Sequence, residues 1–313
     1  MTTPVPSKLL LQQALDLDNL YRAWEEVRKN RGAAGGDHIT LARFERRLEL
    51  NLLHLAERVQ TGTYLPSKVR LVAIYTGQKR REISVWCVAD RVLQRAVLQV
   101  LEPLFEPDFL PASFGYRPRR SVGDAVRRVL ELRDSGYTWV VDADIRDCFL
   151  TLDHQLILSL VAEKVMDQDL LDLISLWLPY GRPRSVRRTG EARGISLGGV
   201  ISPLLCNIYL HQLDVGLARA RLQLVRYADD FVVLCRAKWE RDQAIDFVTS
   251  ILDGIRLEVN QTKTRLTTFD EGFTFLGVAF EEHKYRYLWR DKPIEARDQG
   301  QTFPLDLDGY WWV

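Results

Sequence analysis

The stretch LVRYADDFVVLC, Leu224 to Cys235, decides how the rest of the chain is read. Two apolar runs, Leu224-Val225 and Phe231 to Leu234, flank a short Tyr-Ala-Asp-Asp centre. The pattern predicts a β-hairpin whose turn carries Asp229 and Asp230. Adjacent carboxylates between buried strands raise each other's pKa unless a cation neutralises them. Hard oxygen ligands at such a tip suit Mg²⁺. Asp is also a favoured turn residue, so the tetrapeptide alone is equally a solvated turn.

The chain has 313 residues, 46% of them apolar and 27% charged, which suits a large soluble globular domain or two lobes. It has no run of 18 apolar residues. The N-terminus MTTPVPSKLL has no charged segment leading into an apolar one. These features predict a cytoplasmic protein. The four cysteines, Cys87, Cys148, Cys206 and Cys235, stand apart from one another and from the five histidines. Buried, reduced thiols are expected rather than zinc ligands or disulfides.

A net charge of +1 does not advertise nucleic acid, but its distribution does. Arg117, Arg119, Arg120, Arg127 and Arg128 face Asp124 alone within their segment. Arg182, Arg184, Arg187, Arg188 and Arg193 face Glu191 alone. Arginine suits bidentate phosphate recognition. Each cluster taken singly is equally a solvated loop.

Outward from the hairpin, YTWVVDADI, Tyr137 to Ile145, reads as a buried strand with Asp144 at its end and Asp142 on the same face. Long helices are expected over 9–29, 41–59, 90–104, 121–132, 156–178 and 239–252, and an apolar helix runs through Leu213. The basic turn Gly77-Gln78-Lys79-Arg80-Arg81 lies between two short strands. The loop Gly32 to Asp37 lacks the Lys-Ser/Thr of a phosphate-binding loop and reads as a connection. Phe273 to Val278 reads as one strand. The residues beyond 281 show no clear periodicity.

The strand–Asp144 and hairpin–Asp229-Asp230 arrangement brings three carboxylates together from distant strands, as two-metal phosphoryl transfer requires. Here the sequence closely resembles the bacterial, group II intron-like reverse transcriptases. REISVWCVADR (81 to 91), FEPDFLPASFGYRPRRS (105 to 121), VVDADIRDCFLTLDH (140 to 154), RGISLGGVISPLLCNIYLHQLD (193 to 214), YADD (227 to 230), NQTKTRL (260 to 266) and FTFLGVAF (273 to 280) follow the family's motifs in order. The resemblance implies an α+β right-hand polymerase. Fingers would take 1–136 and the palm 137–280, with little or no thumb in 281–313. It implies RNA-directed DNA synthesis from a primer 3′-hydroxyl and dNTPs.

The resemblance also implies roles. Asp144, Asp229 and Asp230 would bind two Mg²⁺ ions, with Mn²⁺ as a substitute. Ile145 would offer a backbone carbonyl to metal or triphosphate. Phe149 would exclude a ribose 2′-hydroxyl. Arg81 and Lys79 would hold the triphosphate, Gly198 would lie at the nucleotide, and Lys263 would stand near the leaving pyrophosphate. Asp142 would support the site from behind. Arg117, Arg119, Arg120, Arg184, Arg187 and Arg188 would grip template and primer.

The sequence departs from the family pattern at Ser196 and Leu197, where Pro-Gln is usual, and at Glu82 and Trp86, where prolines are common. About 35 residues follow the last strand motif. A stand-alone enzyme is therefore expected, of the type tied to CRISPR adaptation with Cas1- and Cas2-type partners or to another bacterial defence system. The competing readings are a polymerase-like RNA-binding or assembly module and an untemplated nucleotidyltransferase.

Overall fold

The computed structural model describes residues 9–76, 79–182, 192–288, 294–298 and 301–305, without the side chains of 9, 75–81 and 294–305. In chain order the elements are α1 (Leu9–Leu15), α2 (Leu17–Lys29), α3 (Leu41–Glu45), α4 (Leu48–Gln60), β1 (Arg70–Thr76), β2 (Lys79–Val85), α5 (Val88–Phe105), α6 (Val122–Asp134), β3 (Trp139–Asp144), α7 (Cys148–Thr151), α8 (His154–Ala162), α9 (Gln168–Trp177), α10 (Ser202–Arg219), β4 (Gln223–Tyr227), β5 (Asp230–Cys235), α11 (Lys238–Gly254), β6 (Arg265–Thr268), β7 (Phe273–Phe275), β8 (Val278–Glu281), β9 (Lys284–Tyr287), β10 (Ile294–Asp298) and β11 (Gln301–Leu305). They divide into two compact units.

The first unit takes residues 1–107, 152–205 and 294–313. Its axis is α5, buried on several sides through Val88, Val92, Leu93, Ala96, Val97 and Leu101. Helices α1, α2 and α4 pack on it. The expected hairpin β1–β2 forms, but it pairs Thr76 with Lys79 and Ile74 with Arg81, so Lys79, Arg80 and Arg81 belong to β2 rather than to the turn, and β10 adds to the other edge of β1. The Gly32–Asp37 loop packs as a connection, with the Gly36 amide bound to the Lys68 carbonyl.

Two expected long helices are broken, each time at an aspartate. Asp16 accepts from the amides of Asp18 and Asn19 and starts α2 afresh. Asp167 accepts from the Leu170 amide and starts α9, so 156–178 is two helices. In both cases a short carboxylate satisfies amides that a new first turn leaves without partners. The expected helix over 41–59 is likewise two pieces, α3 capped by Thr40 and α4.

The second unit takes residues 108–151 and 206–293. Its main sheet has the order β4-β5-β3-β6, antiparallel throughout. Alternation gives the sheet two faces. Val140, Val225, Val232 and Leu234 meet α6 residues Ala125, Val126 and Val129 in one apolar core with Phe269, Phe273 and Phe280. Trp139, on the opposite face, lies under the guanidinium of Arg241 from α11. Helix α6 starts with a full capping box between Ser121 and Asp124.

The expected strand 273–278 is instead a hairpin, β7–β8, turning through Leu276 and Gly277, both at positive φ. Two left-handed residues in a two-residue loop match the right-handed twist of the strands. Strand β9 extends it to a three-stranded sheet.

Gly115 lies against the turn between β4 and β5. A Cβ there would collide with the Ala228 amide nitrogen and stand 2.8 Å from the Tyr227 carbonyl carbon. Gly115→Ala is therefore expected to cost about 1–3 kcal/mol, the range for overpacking a filled site. A thermal melt against wild type checks this.

Candidate active site

The sheet register assembles the acidic residues. Asp144, at the end of β3, stands directly opposite Asp230, the first residue of β5. Asp230 in turn pairs with Tyr227, so the loop of the hairpin is Ala228-Asp229 alone. The turn thus sits one residue earlier than the sequence suggests, and Asp230 belongs to the strand. By alternation Asp144 and Asp230 continue the row of Val140, Val232 and Leu234, and they end the apolar core in carboxylates. Asp230 is exposed, and Asp229 and Asp144 are half-buried.

Arg226 holds the turn from beneath. It is fully buried, and its guanidinium makes five hydrogen bonds. Nε and Nη2 donate to the two carboxylate oxygens of Asp214, at 2.7 and 2.6 Å. Nη1 donates to Asn207 Oδ1 and to the Ala228 carbonyl, both at 2.9 Å, and Nη2 also donates to Ser113 Oγ at 2.8 Å. Burial works against the charge, but Asp214 more than offsets it and keeps the guanidinium above its ordinary range. The Arg226 backbone pairs with the segment before Gly115, accepting from Phe114 and donating to Ala112. Ala228 sits at φ 58, a left-handed position uncommon outside glycine, and its carbonyl is the one Arg226 fixes.

Residues 260–264 enclose Asp144. Lys263 Nζ donates to both carboxylate oxygens, at 2.8 and 3.1 Å, and Asn260 Nδ2 donates to Oδ2 at 3.0 Å. The Asp144 carbonyl accepts from the Asn260 amide, and its own amide donates to Thr264 Oγ1. Asp142 lies opposite Arg265. Burial pushes its carboxyl up to about 6, with the Asp144 charge adding to the shift and Arg265 opposing it.

The backbone brings Asp144, Asp229 and Asp230 together, and all are hard oxygen donors suited to a divalent cation. Their side chains do not converge as arranged here. Among the described residues no three acidic, His or Cys side chains stand at metal-holding spacing, and the Asp144 oxygens are taken by Lys263 and Asn260. In kind and in backbone placement these residues fit such a cation.

Phe149 is buried in α7, five residues past Asp144. The ring of Tyr116 meets it edge-on, with centroids 6.3 Å apart and planes at 86°. Burial, and after it the charge of Asp229, lift the Tyr116 phenol well above its ordinary range. Ile145 bridges to Val259.

The model of the family described as reverse transcriptase (RNA-dependent DNA polymerase) matches residues 68–280. The chain belongs to that family. Among its relatives, Protein YkfC of Escherichia coli (strain K12) is 30% identical over 89% of this chain and 84% of its own length. The group II intron-encoded protein LtrA of Lactococcus lactis subsp. cremoris is 30% identical over 69% of this chain, which spans only 36% of LtrA. A solved telomerase of Candida tropicalis, truncated of its C-terminal domain, shares the fold, with a TM-score of 0.53 at 14% identity over 70% of this chain and 54% of that one. The expected right-hand polymerase fold and the group II intron-like lineage are thus met. The family is one of RNA-directed DNA polymerases that use divalent metal ions.

Gly198 belongs to the first unit, at φ 112, where a Cβ would collide with the Ser84 carbonyl oxygen. In the same unit the Ser84 amide donates to the Leu197 carbonyl at 2.6 Å, and Trp86 Nε1 donates to Ser196 Oγ at 2.8 Å. The backbones of Lys79 and Arg81 lie in β2, and their side chains are outside the described residues. Arg184, Arg187 and Arg188 are also outside them.

Arg117 points inward. It is buried, donates to the Leu110 and Ser113 carbonyls and lies over Phe109. Arg120 donates to the Pro111 carbonyl and covers Phe114, whereas Arg119 is exposed. In the second cluster Arg182 donates to the Arg193 carbonyl. No helix among the described residues is long and apolar enough to cross a membrane.

Sequence reasoning did not single out Asn207, Asp214, Arg226, Asn260, Thr264 or Tyr116. Asn260 and Thr264 were within reach, because they share one turn with Lys263. Arg226→Met would leave the Asp214 carboxylate buried without its cation. The expected cost is about 3–5 kcal/mol, read as a lowered denaturant midpoint, with a comparable loss in Asp214→Asn, which leaves the guanidinium buried without its carboxylate.

Proposed function

We propose that this reverse transcriptase extends a primer 3′-hydroxyl on an RNA template, with Asp144, Asp229 and Asp230 as ligands of two divalent cations, Mg²⁺ or Mn²⁺ in its place. The carrying observation is the pairing of Asp144 with Asp230 across β3 and β5, with Asp229 in the adjoining two-residue turn. Bound there, the ions would ease deprotonation of the attacking hydroxyl and offset charge on the leaving pyrophosphate. In the reaction a bond forms between the primer O3′ and the α-phosphorus of a dNTP, and the bond to pyrophosphate breaks.

The chain's own residues take the remaining tasks. Lys263 is the resident counter-charge of Asp144, and a half-exposed ammonium there is placed to meet phosphate or give up a proton. Phe149 forms the wall that a 2′-hydroxyl would strike, and Ile145 supplies a carbonyl beside Asp144. Lys79, Arg81 and Gly198 receive the triphosphate and base. Template and primer backbones meet Arg119, which faces solvent, together with Arg120, Arg184, Arg187 and Arg188. Binding would weaken with salt as counterions compete. The fingers (1–136), palm (137–280) and rudimentary thumb (281–313) remain the proposed domain scheme. Cas1- and Cas2-type partners, a bacterial defence setting and a cytoplasmic location rest on the sequence reading alone.

Primer extension on poly(rA)/oligo(dT) with Mg²⁺ and dTTP, wild type beside Asp229→Ala, tests the assignment. Extension by wild type and at least a ~10³-fold loss in the variant are expected, the scale for removing a charge-stabilising group from such a site. Equal extension by both would remove the metal roles. RNA binding without extension in either would favour the binding-module reading, and addition independent of template would favour the untemplated transferase.

A further inference from the structure

Tyr116 stands where two features of the site meet, yet the reaction as described leaves it without a task. Its neighbour Gly115 lies against the Ala228 amide, which places Tyr116 beside the acidic turn. The Gly115 carbonyl is fixed by Asn207 Nδ2 at 2.8 Å, so the segment cannot drift from that turn. The Tyr116 ring then reaches the other side of the site and meets Phe149 edge-on.

The backbone of Tyr116 is at φ 57. A bulky residue in the left-handed region is held there by its surroundings, and such outliers gather at functional sites. Tyr116 is half-buried while Phe149 is buried. The tyrosine therefore keeps an accessible surface that the phenylalanine mostly lacks.

We infer that Tyr116 is a specificity-determining residue: its ring fixes the Phe149 ring from the side, and its accessible part completes the surface against which the sugar of the incoming nucleotide rests. The inference rests on the reading of Phe149 as the sugar gate. Edge-to-face packing sets one preferred orientation of the second ring. Without it, Phe149 gains room to rotate away, and a 2′-hydroxyl is no longer met by a fixed wall. The contact is one of ring against ring. The ring, not the oxygen, carries the role.

The experiment compares kcat/KM for dTTP and for UTP on poly(rA)/oligo(dT) in wild type, Phe149→Val, Tyr116→Asn, Tyr116→Leu, Tyr116→Phe and the double variant Phe149→Val/Tyr116→Asn. Asparagine tolerates positive φ, and leucine restores apolar volume, so one of the two keeps the fold if the other does not. Tyr116→Asn or Tyr116→Leu is expected to shift the dTTP/UTP ratio toward UTP by roughly tenfold, the scale of one displaced apolar contact in a specificity pocket. Tyr116→Phe is expected to keep the wild-type ratio, and the double variant to discriminate no worse than Phe149→Val. Equal losses for both nucleotides with an unchanged ratio in Tyr116→Asn and Tyr116→Leu would overturn the inference while leaving the gate intact. An unchanged ratio in Phe149→Val would instead overturn the gate reading, and the role of Tyr116 with it.

Discussion

The acidic turn is held by one buried arginine. Arg226 sits at zero exposure in the strand that leads into Ala228-Asp229. Its donors reach α10 at Asn207 and Asp214, the 112–115 segment at Ser113, and the turn itself at Ala228. A guanidinium has five N–H groups in a rigid plane, and all five hydrogen bonds are made here. Desolvating such a charge is unfavourable unless every donor is met and a carboxylate is close. Asp214 meets that condition with a two-pronged contact, so the geometry of three chain segments is set by one planar group. The left-handed Ala228 and the close approach of Gly115 are consequences of the same packing.

Much of this was readable in the residues. The alternation around Asp142 and Asp144 marked a strand, and the apolar flanks of Ala228 to Asp230 marked a hairpin. The ordered motifs tied the two together, and the family match over 68–280 agrees. Arg226 was not legible, because its side-chain partners lie 12 to 113 residues away in sequence and only the topology brings them near. Helix breaks were missed for a related reason. Asp16 and Asp167 interrupt apolar patterns that stay in phase, and an aspartate in such a pattern looks like a solvent-facing position. What reveals it as a cap is the amide it accepts from. The hairpin through Leu276-Gly277 was hidden because a β-strand with one glycine reads the same as two short strands around a turn.

Two departures from the family pattern acquire a physical meaning together. Trp86 and Ser196 stand where prolines are common, and here the indole N–H donates to the serine hydroxyl, with both groups buried. A proline at either position could not make that bond, so the substitutions read as one change. The loop carrying Leu197 is also held by its backbone to Ser84. The arginine clusters divide the other way. Composition treats Arg117 and Arg119 alike, but Arg117 satisfies carbonyls of its own loop and Arg119 faces solvent.

We propose that the paired strands present Asp144, Asp229 and Asp230 as one divalent-cation site. Mn²⁺ binding, followed by electron paramagnetic resonance in the presence of dTTP, addresses it without relying on turnover. Wild type should bind Mn²⁺, and folded Asp144→Asn and Asp229→Asn proteins should lose that binding. Undiminished Mn²⁺ binding in both folded variants would rule that site out.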